Sequence, residues 1–519
     1  MRSLAERATF LLAAFFPFGL ATVLAVLVFF GGAGQFFGHD LGFYGLPSFT
    51  DHLATGLAGF AVLVGTIAGI VAIGMKGDRV RGRPYVPLPI LLAIAAIAVR
   101  VTVIACFGCR TPAAVDNGFA WFRAIGRPSV VDYHTTIPCW MNYSLFLRAL
   151  AALFGNDYRV DLVAGAIFDG ASTFLVFLLA FRVTGRNAAS ALAASLFALN
   201  PALVVYALAG TPEHLAIAIF LAATLLYRGL TEAERTGKML LSALACGLVL
   251  GVGNAVKPIF ALVGTAMALS VFIGVGDRAR LVRLSCALAV VFAVQFGVVR
   301  CVTAACESVF DVRLSDKNSV AHMLVVGLNR QGEGQIHVGG VSRTVQNGLK
   351  AGLPMDEAAR AGYKAMLDDW HGHLDEVPGF FARKSIWAWQ DFNRPWFLFE
   401  KDAARFFKKN PKAKAWSLRK RLHRHLADVL PPANGLFYLC AMAAGMCWAF
   451  ACGLRKRNAR PIDLFLTLMS LGFFCMLTLI EAQSRYKCLV LPFMFIFASQ
   501  LFAAWLDRRA AARGGTDAD

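Results

Sequence analysis

Apolar runs of about twenty residues recur along the 519 residues of this chain, and no other feature constrains its fold as tightly. As a helix, each such run matches a hydrocarbon core of roughly 30 Å. The runs fall near residues 9–30, 53–75, 88–107, 160–181, 188–209 and 214–227. Others fall near 239–256, 259–275, 281–301, 435–454, 462–480 and 488–506. Composition agrees: 58% of residues are hydrophobic, 16% are charged and mean hydropathy is +0.60, too apolar for one soluble domain. The first run resembles a signal peptide, but it is too long and has no small-residue cleavage site. The chain is therefore expected to be an all-α polytopic membrane protein of about twelve transmembrane helices, with outer juxtamembrane helices and a small α-rich extracytoplasmic domain.

Orientation follows from the short loops. Alternate connections carry Arg2 and Arg7, then Lys76, Arg79, Arg81 and Arg83, then Arg182 and Arg186. The series continues through residues 228–238, Arg278, Arg280 and Arg283, the 455–460 cluster, and Arg508 with Arg509. The positive-inside rule places these loops in the cytoplasm. Asp116, Glu213, Glu481 and Arg485 then lie on the outer side. The segment 137–154 is apolar enough to count as a span, and counting it would expose every later basic loop. It is short and carries Arg148, so it reads as a helix lying along the outer surface.

Four regions result. Residues 1–86 hold two extra N-terminal spans. Residues 87–301 form the core, with a first outer loop at 108–159. Residues 302–434 form an extracytoplasmic domain, and 435–519 hold the closing spans and a cytoplasmic tail. Within the outer domain, the stretch after Pro354 has helical spacing, with Pro354 and Asp356 suited to its first turn. A hairpin is expected through 335–341. Part of the net charge of +19 is the loop bias that orients any such protein, and it says nothing of nucleic acid. The remainder is a basic run between Lys401 and Arg424. It reads either as a rim for anionic headgroups and lipid-linked phosphate or as a solvated interfacial helix.

Several ionisable residues sit in or beside the spans, where burial is costly without a purpose. Asp116 follows a span and opens a short aromatic-rich helix, the place for a general base at a membrane surface. Lys257-Pro258 interrupts two runs at their outer turn, where the cation can hold a phosphate or snorkel to the interface. Glu213 lies in the first turn of a span, where a carboxylate suits the helix N-terminus in any case. Asp169, in mid-span, needs a partner in the bundle. In the last outer turn, Glu481 precedes Arg485 by one helical turn and can orient its guanidinium toward a phosphate; an interfacial Arg/Tyr anchor is the plainer reading.

The ordered series runs as follows: an Asp after a span, an outer helix ending Leu-Phe-Gly, Asn200-Pro201 ending a later span, the Lys257-Pro258 turn, and Glu481 with Arg485-Tyr486. It resembles the GT-C-type membrane glycosyltransferases, particularly bacterial relatives of protein O-mannosyltransferases and lipid A aminoarabinose transferases, over roughly residues 88–506. The resemblance places the catalytic Asp on Asp116. Many members carry Asp-Glu there, whereas this chain has Asp116-Asn117. Asp132, in Val131-Asp132-Tyr133-His134, can stand in for the second carboxylate. The resemblance also implies a polyprenyl-phosphate sugar donor whose phosphate is held by Arg485, with Lys257 and Lys384 beside it. Lys384 with Trp387 and Trp389 is similar to a Lys/aromatic element of bacterial members. Aromatic faces also stack on sugar rings, or form an interface belt. Asn117, Asp132, Tyr133, His134, Glu213, Trp387, Trp389, Glu481 and Tyr486 complete the candidate substrate-binding set.

The implied reaction is a single displacement with inversion. Asp116 takes the proton of an acceptor hydroxyl as it attacks the anomeric carbon, and cations stabilise the departing lipid phosphate. Its partners are the lipid-linked donor, membrane lipids and a cell-envelope acceptor (glycan, lipid or protein), with no nucleic acid. Its place is the cytoplasmic membrane. No cofactor is implied. Cys106-Phe-Gly-Cys109 has no second CxxC or HxxxH near it, so zinc is not expected. Cys139 with Cys106 or Cys109 can form a disulfide on the outer face. Two other classes compete: a lipid-linked-saccharide flippase or transporter, whose mark is mid-membrane ionisable residues on broken spans, and a polysaccharide ligase using the same carriers.

Overall fold

A computed structural model of the chain describes residues 53–78, 84–107, 116–126, 138–314, 320–331, 340–353, 355–381, 384, 460–480 and 484–514, and every regular element among them is helical. In chain order the first are α1 (Leu53–Gly77), α2 (Pro87–Phe107), α3 (Asp116–Ala124), α4 (Pro138–Phe154), α5 (Arg159–Thr184), α6 (Asn187–Ala198), α7 (Pro201–Tyr206) and α8 (Pro212–Glu232). They continue with α9 (Thr236–Val256), α10 (Phe260–Gly274), α11 (Arg278–Phe310), α12 (Val320–Gly327), α13 (Gly340–Lys350), α14 (Met355–His371), α15 (Pro461–Leu479) and α16 (Leu491–Gly514). A 3-10 turn, Ser484–Leu489, leads into α16. The runs at 9–30 and 435–454 and the basic stretch 401–424 lie outside the described residues.

Six helices, α2, α5, α8, α9, α11 and α15, are long and apolar enough to cross a membrane. In lipid, packing rather than water exclusion draws helices together, so small residues mark the closest approaches. α9 and α11 are an example. A methyl on Gly247 would stand 2.7 Å from the Val291 carbonyl oxygen, and one on Gly251 would stand 2.5 Å from Val298 Cβ. The opposite flanks, with Leu241, Leu248, Val282 and Phe296 exposed, are the apolar faces that lipid covers. Helix ends follow their sequence: Gly185 closes α5 at φ 70°, and the Asp277 carboxylate accepts from the backbone N–H groups of Ala279 and Arg280 to start α11.

Two expectations need correction. The apolar run at 188–209 is not one helix. It breaks at Asn200-Pro201 into α6 and α7, and the Asn200 side chain caps α7 by accepting from Leu203 N–H at 3.1 Å. Pro201 lacks the donor to continue α6 and suits the first turn of the next helix. The hairpin expected through 335–341 does not extend to its far end, because Gly340 opens α13. α10 has only 15 residues, a length of roughly 22 Å. By contrast, α11 has 33 residues and runs roughly 50 Å, well beyond a hydrocarbon core. Its overhang carries α4: Met141 packs on Cys306 and Leu314, and Arg148 lies over the Phe310 ring. α12, α13 and α14 form a small helical unit closed around Val325, Val345, Ala358 and Met366.

Candidate functional site

Lys257 is the C-terminal cap residue of α9, immediately before Pro258, and its backbone is extended. That conformation ends the helix and carries the side chain across to α8, where Nζ stands 2.7 Å from Glu213 Oε1. Glu213 occupies the first turn of α8 behind Pro212 and is fully buried, while Lys257 is 9% exposed. The face of Tyr486, from the 3-10 turn before α16, covers the ammonium at 4.3 Å. Three residues singled out in separate parts of the sequence thus meet at one point. The paired carboxylate, not the hydrocarbon, bears the cost of burying Lys257.

α4 closes one side of this point. Asn142 donates through Nδ2 to the Ala255 carbonyl at 2.9 Å, two residues before Lys257. One turn earlier on the same face, Cys139 is a free thiol that feels both charges. Desolvation lifts it to about 11, Lys257 draws it down and Glu213 pushes it up, so at neutral pH it stays protonated and is no nucleophile. Tyr143 donates to Asp161 Oδ1 at 2.7 Å. Burial, and then the Asp161 carboxylate, hold this phenol well above its ordinary value, so it remains a donor. Tyr158 accepts from Gly210 N–H at 2.9 Å, three residues before Glu213. The edge of its ring meets Trp121 of α3 at 5.7 Å. α3 begins at Asp116, as the sequence predicts, and a continuous set of contacts links that helix to the start of α8.

The small helical unit reaches the same end of the bundle through Lys384. Its side chain is buried, its ammonium donates to the Gly327 carbonyl at the end of α12, and it lies 5.9 Å from the Phe380 ring centre. Gly327 in turn rests directly on the backbone of Leu479 and Ile480 at the end of α15, with no room for a side chain. Lys384 therefore lies close to the C-terminal end of α15. The unit is itself clamped by Arg330, which grips Asp369 at 3.0 Å and Glu376 at 2.8 Å.

The backbones of Asp116 and Asn117 lie in α3 and that of Arg485 in the 3-10 turn, but their side chains lie outside the described residues. So do Asp132, Tyr133, His134, Trp387, Trp389 and Glu481 as whole residues. Among the described residues, no three of His, Cys, Asp and Glu gather as metal ligands do.

Asp169 has the partners its position requires. Arg100 Nε donates to Oδ2 at 2.6 Å, and His214 Nδ1 faces Oδ1 at 3.0 Å. Arg100 also donates to the Ala198 carbonyl at 2.9 Å, and His214 Nε2 faces the carbonyls of Tyr206 and Ala209 at 3.3 and 3.2 Å. The Ala198 carbonyl precedes the break at Pro201, and the other two lie at and just after the end of α7, so the cluster serves backbone groups at both ends of that short helix. Sequence reasoning missed Arg100. A lone Arg inside a span was the available signal. It also missed Asn142 and Tyr143 of the outer helix α4 and Asp161 in the first turn of α5, positions where polar residues are ordinary.

A comparison with curated proteins gives no match. Residues 141–302, from the second turn of the buried α4 face to most of α11, match the family model of the dolichyl-phosphate-mannose-protein mannosyltransferases. That segment contains Glu213, Lys257 and Asp161, and Asp116, Lys384 and Arg485 lie beyond it. Over that segment the resemblance to GT-C-type membrane glycosyltransferases holds, and the match points to a multi-pass membrane glycosyltransferase.

Proposed function

We propose that the protein is an inverting glycosyltransferase that moves a sugar from a polyprenyl-phosphate carrier to an acceptor hydroxyl in the cell envelope. In this reading about twelve helices span the cytoplasmic membrane. The α3–α4 end faces outward, and residues 302–434 form an extracytoplasmic domain over the site. The observation that carries it is the convergence of Glu213, Lys257 and Tyr486, with α3 tied to the same place through Trp121 and Tyr158.

Asp116 is the general base, taking the acceptor proton as the oxygen attacks the anomeric carbon. The lipid phosphate leaves as an anion, and Arg485 and Lys257 stabilise it. Lys257 is pre-positioned by Glu213, so the donor phosphate meets a cation that is already oriented and loses little freedom on binding. Lys384, whose ammonium donates to the Gly327 carbonyl, is the third cation proposed for the phosphate. Asn117, Asp132, Tyr133, His134, Trp387, Trp389 and Glu481 remain the proposed substrate contacts.

Purified membranes carrying wild type or Asp116→Asn, given radiolabelled polyprenyl-phosphate sugars and envelope acceptor, test the reading. Transfer by wild type and its loss in the folded variant is the expected result. Transfer unchanged by the variant removes Asp116 as the base, and no transfer with any donor removes the enzyme reading.

The competing reading is a flippase for lipid-linked saccharides. It draws on the Arg100–Asp169–His214 cluster at a broken helix, since Asp169 lies roughly 15 Å along α5, near mid-bilayer. Those side chains face backbone carbonyls at the break, which favours a structural use. Movement of a fluorescent polyprenyl-phosphate sugar across proteoliposomes without acceptor would decide for the flippase.

A further inference from the structure

Two buried acceptor oxygens beside the Lys257–Glu213 pair have no hydrogen-bond partner among the described residues. One is Asp161 Oδ2, whose residue is 2% exposed; the other is Asn142 Oδ1, whose residue is 3% exposed. Buried polar atoms are almost always paired, so two orphans of one chemical kind on neighbouring elements need a reason. Each residue is firmly held by its other polar atom. Asn142 Nδ2 is fixed on the Ala255 carbonyl, and Asp161 Oδ1 is fixed on Tyr143. The free oxygens therefore have set positions and cannot turn away. The carboxylate is admitted by the notch at Gly210, where any side chain would collide with Asp161 Oδ2.

We propose that Asp161 and Asn142 form the subsite that holds hydroxyl groups of the transferred sugar. The inference rests on the donor reading above and gives that site its second half. Oxygens that only accept call for a ligand that donates, and a glycosyl unit presents several hydroxyl donors. They exclude the phosphate, which is itself an acceptor and would be repelled by the Asp161 carboxylate. The phosphate belongs to the cationic side, at Lys257. Ala255 links the two halves, standing two residues from Lys257 and accepting from Asn142. Cys139, on the same face of α4 as Asn142 and Tyr143, is near enough to Lys257 and Glu213 to feel both charges. A sugar bonded directly to its phosphate requires this adjacency of a cation and hydrogen-bond acceptors.

The test uses purified full-length protein in nanodiscs. Binding is measured for undecaprenyl phosphate and for a panel of hexosyl- and pentosyl-phosphoryl undecaprenols. Wild type is expected to bind at least one glycosylated lipid about tenfold more tightly than the bare lipid, the scale of a hydrogen bond to a charged group. Asp161→Asn replaces one acceptor by a donor at constant shape and is expected to erase that preference while leaving bare-lipid binding unchanged. Gly210→Ala, whose methyl would collide with Asp161 Oδ2 and stand 2.7 Å from the Tyr158 hydroxyl and so displaces the carboxylate by crowding, is expected to do the same. Monodeoxy versions of the preferred sugar, tested on wild type, need no variant to fold, and loss of preference at one or two positions supports the subsite. A flat deoxy series, or a preference kept by Asp161→Asn, overturns the subsite and leaves the donor reading standing. Bare lipid that binds with no preference for any sugar does the same. Failure of wild type to bind bare undecaprenyl phosphate overturns the donor reading and the subsite together.

Discussion

Lys257 and Glu213 are 44 positions apart in sequence and 2.7 Å apart in space, with the carboxylate sealed from solvent and the ammonium under the face of Tyr486. Burying both charges is tolerable only because each answers the other, so removing one leaves the remainder stranded. Lys257→Met and Glu213→Gln should each cost about 3–5 kcal/mol of stability. The double variant should cost clearly less than the sum of the two. Thermal unfolding of the four proteins in detergent, arranged as a double-mutant cycle, checks this. Additive losses would mean that the pair is not coupled.

Arg100 makes a second prediction. Its guanidinium serves Asp169 and the carbonyls of Ala96 and Ala198 at once. A lysine has one ammonium and cannot reproduce that fork. Arg100→Leu should lose about 3 kcal/mol or more, since it leaves the Asp169 carboxylate with His214 alone and strands the carbonyl of Ala198. Arg100→Lys should fall between that variant and wild type. The same unfolding measurement ranks them, and an Arg100→Lys protein as stable as wild type would show that the fork is not needed.

The parts of the molecule governed by local rules were legible in the sequence. Apolar length located the helices, Asp116 opens α3 where an N-terminal carboxylate is favourable, and Asp169 announced that it needed a partner. The partners themselves were not legible. Arg100 disappears into a run whose mean hydropathy stays high despite it, and nothing in a periodic pattern links residue 100 to 169 and 214. The break at Asn200-Pro201 carried its signal in Pro201, yet the surrounding alanines and leucines let 188–209 pass as one run. Tyr143 and Asp161 are joined by the packing of α4 on α5. Pairings between elements come from tertiary geometry, and the candidate site is made almost wholly of them.

Gly327 offers a third prediction. It presses on the backbone of Leu479 and Ile480, and its carbonyl receives the Lys384 ammonium. Even a methyl group at 327 must move backbone, since no flexible side chain is there to yield. Gly327→Ala should therefore loosen the small helical unit from α15 while leaving the membrane helices folded. Limited proteolysis should cut between residues 320 and 381 several times faster in the variant, with an unchanged helical circular dichroism spectrum. Equal cleavage rates would show that the unit is held elsewhere.

The clamp of Arg330 on Asp369 gives a pH dependence whose sign is fixed. Hydrogen bonds from Arg330 hold the Asp369 carboxyl below its ordinary value of 3.8. A group with a depressed folded pKa contributes fully above its unfolded pKa, and that contribution is lost as pH falls through the folded value. The small helical unit should thus be indifferent to pH from neutrality down to about 4 and loosen below it. Glu376, on the same guanidinium, is more exposed and contributes less, and salt should weaken the clamp because it lies near the surface. Hydrogen exchange of the α14 amides, corrected for intrinsic rates, should rise between pH 4.5 and 2.5 in wild type, the interval that brackets an aspartate held below about 4. Asp369→Asn cannot ionise, so its α14 should exchange faster than wild type near neutrality, converge with it as pH falls below about 3, and show a much smaller acid step. An equal step in both proteins would assign the acid response to another carboxylate.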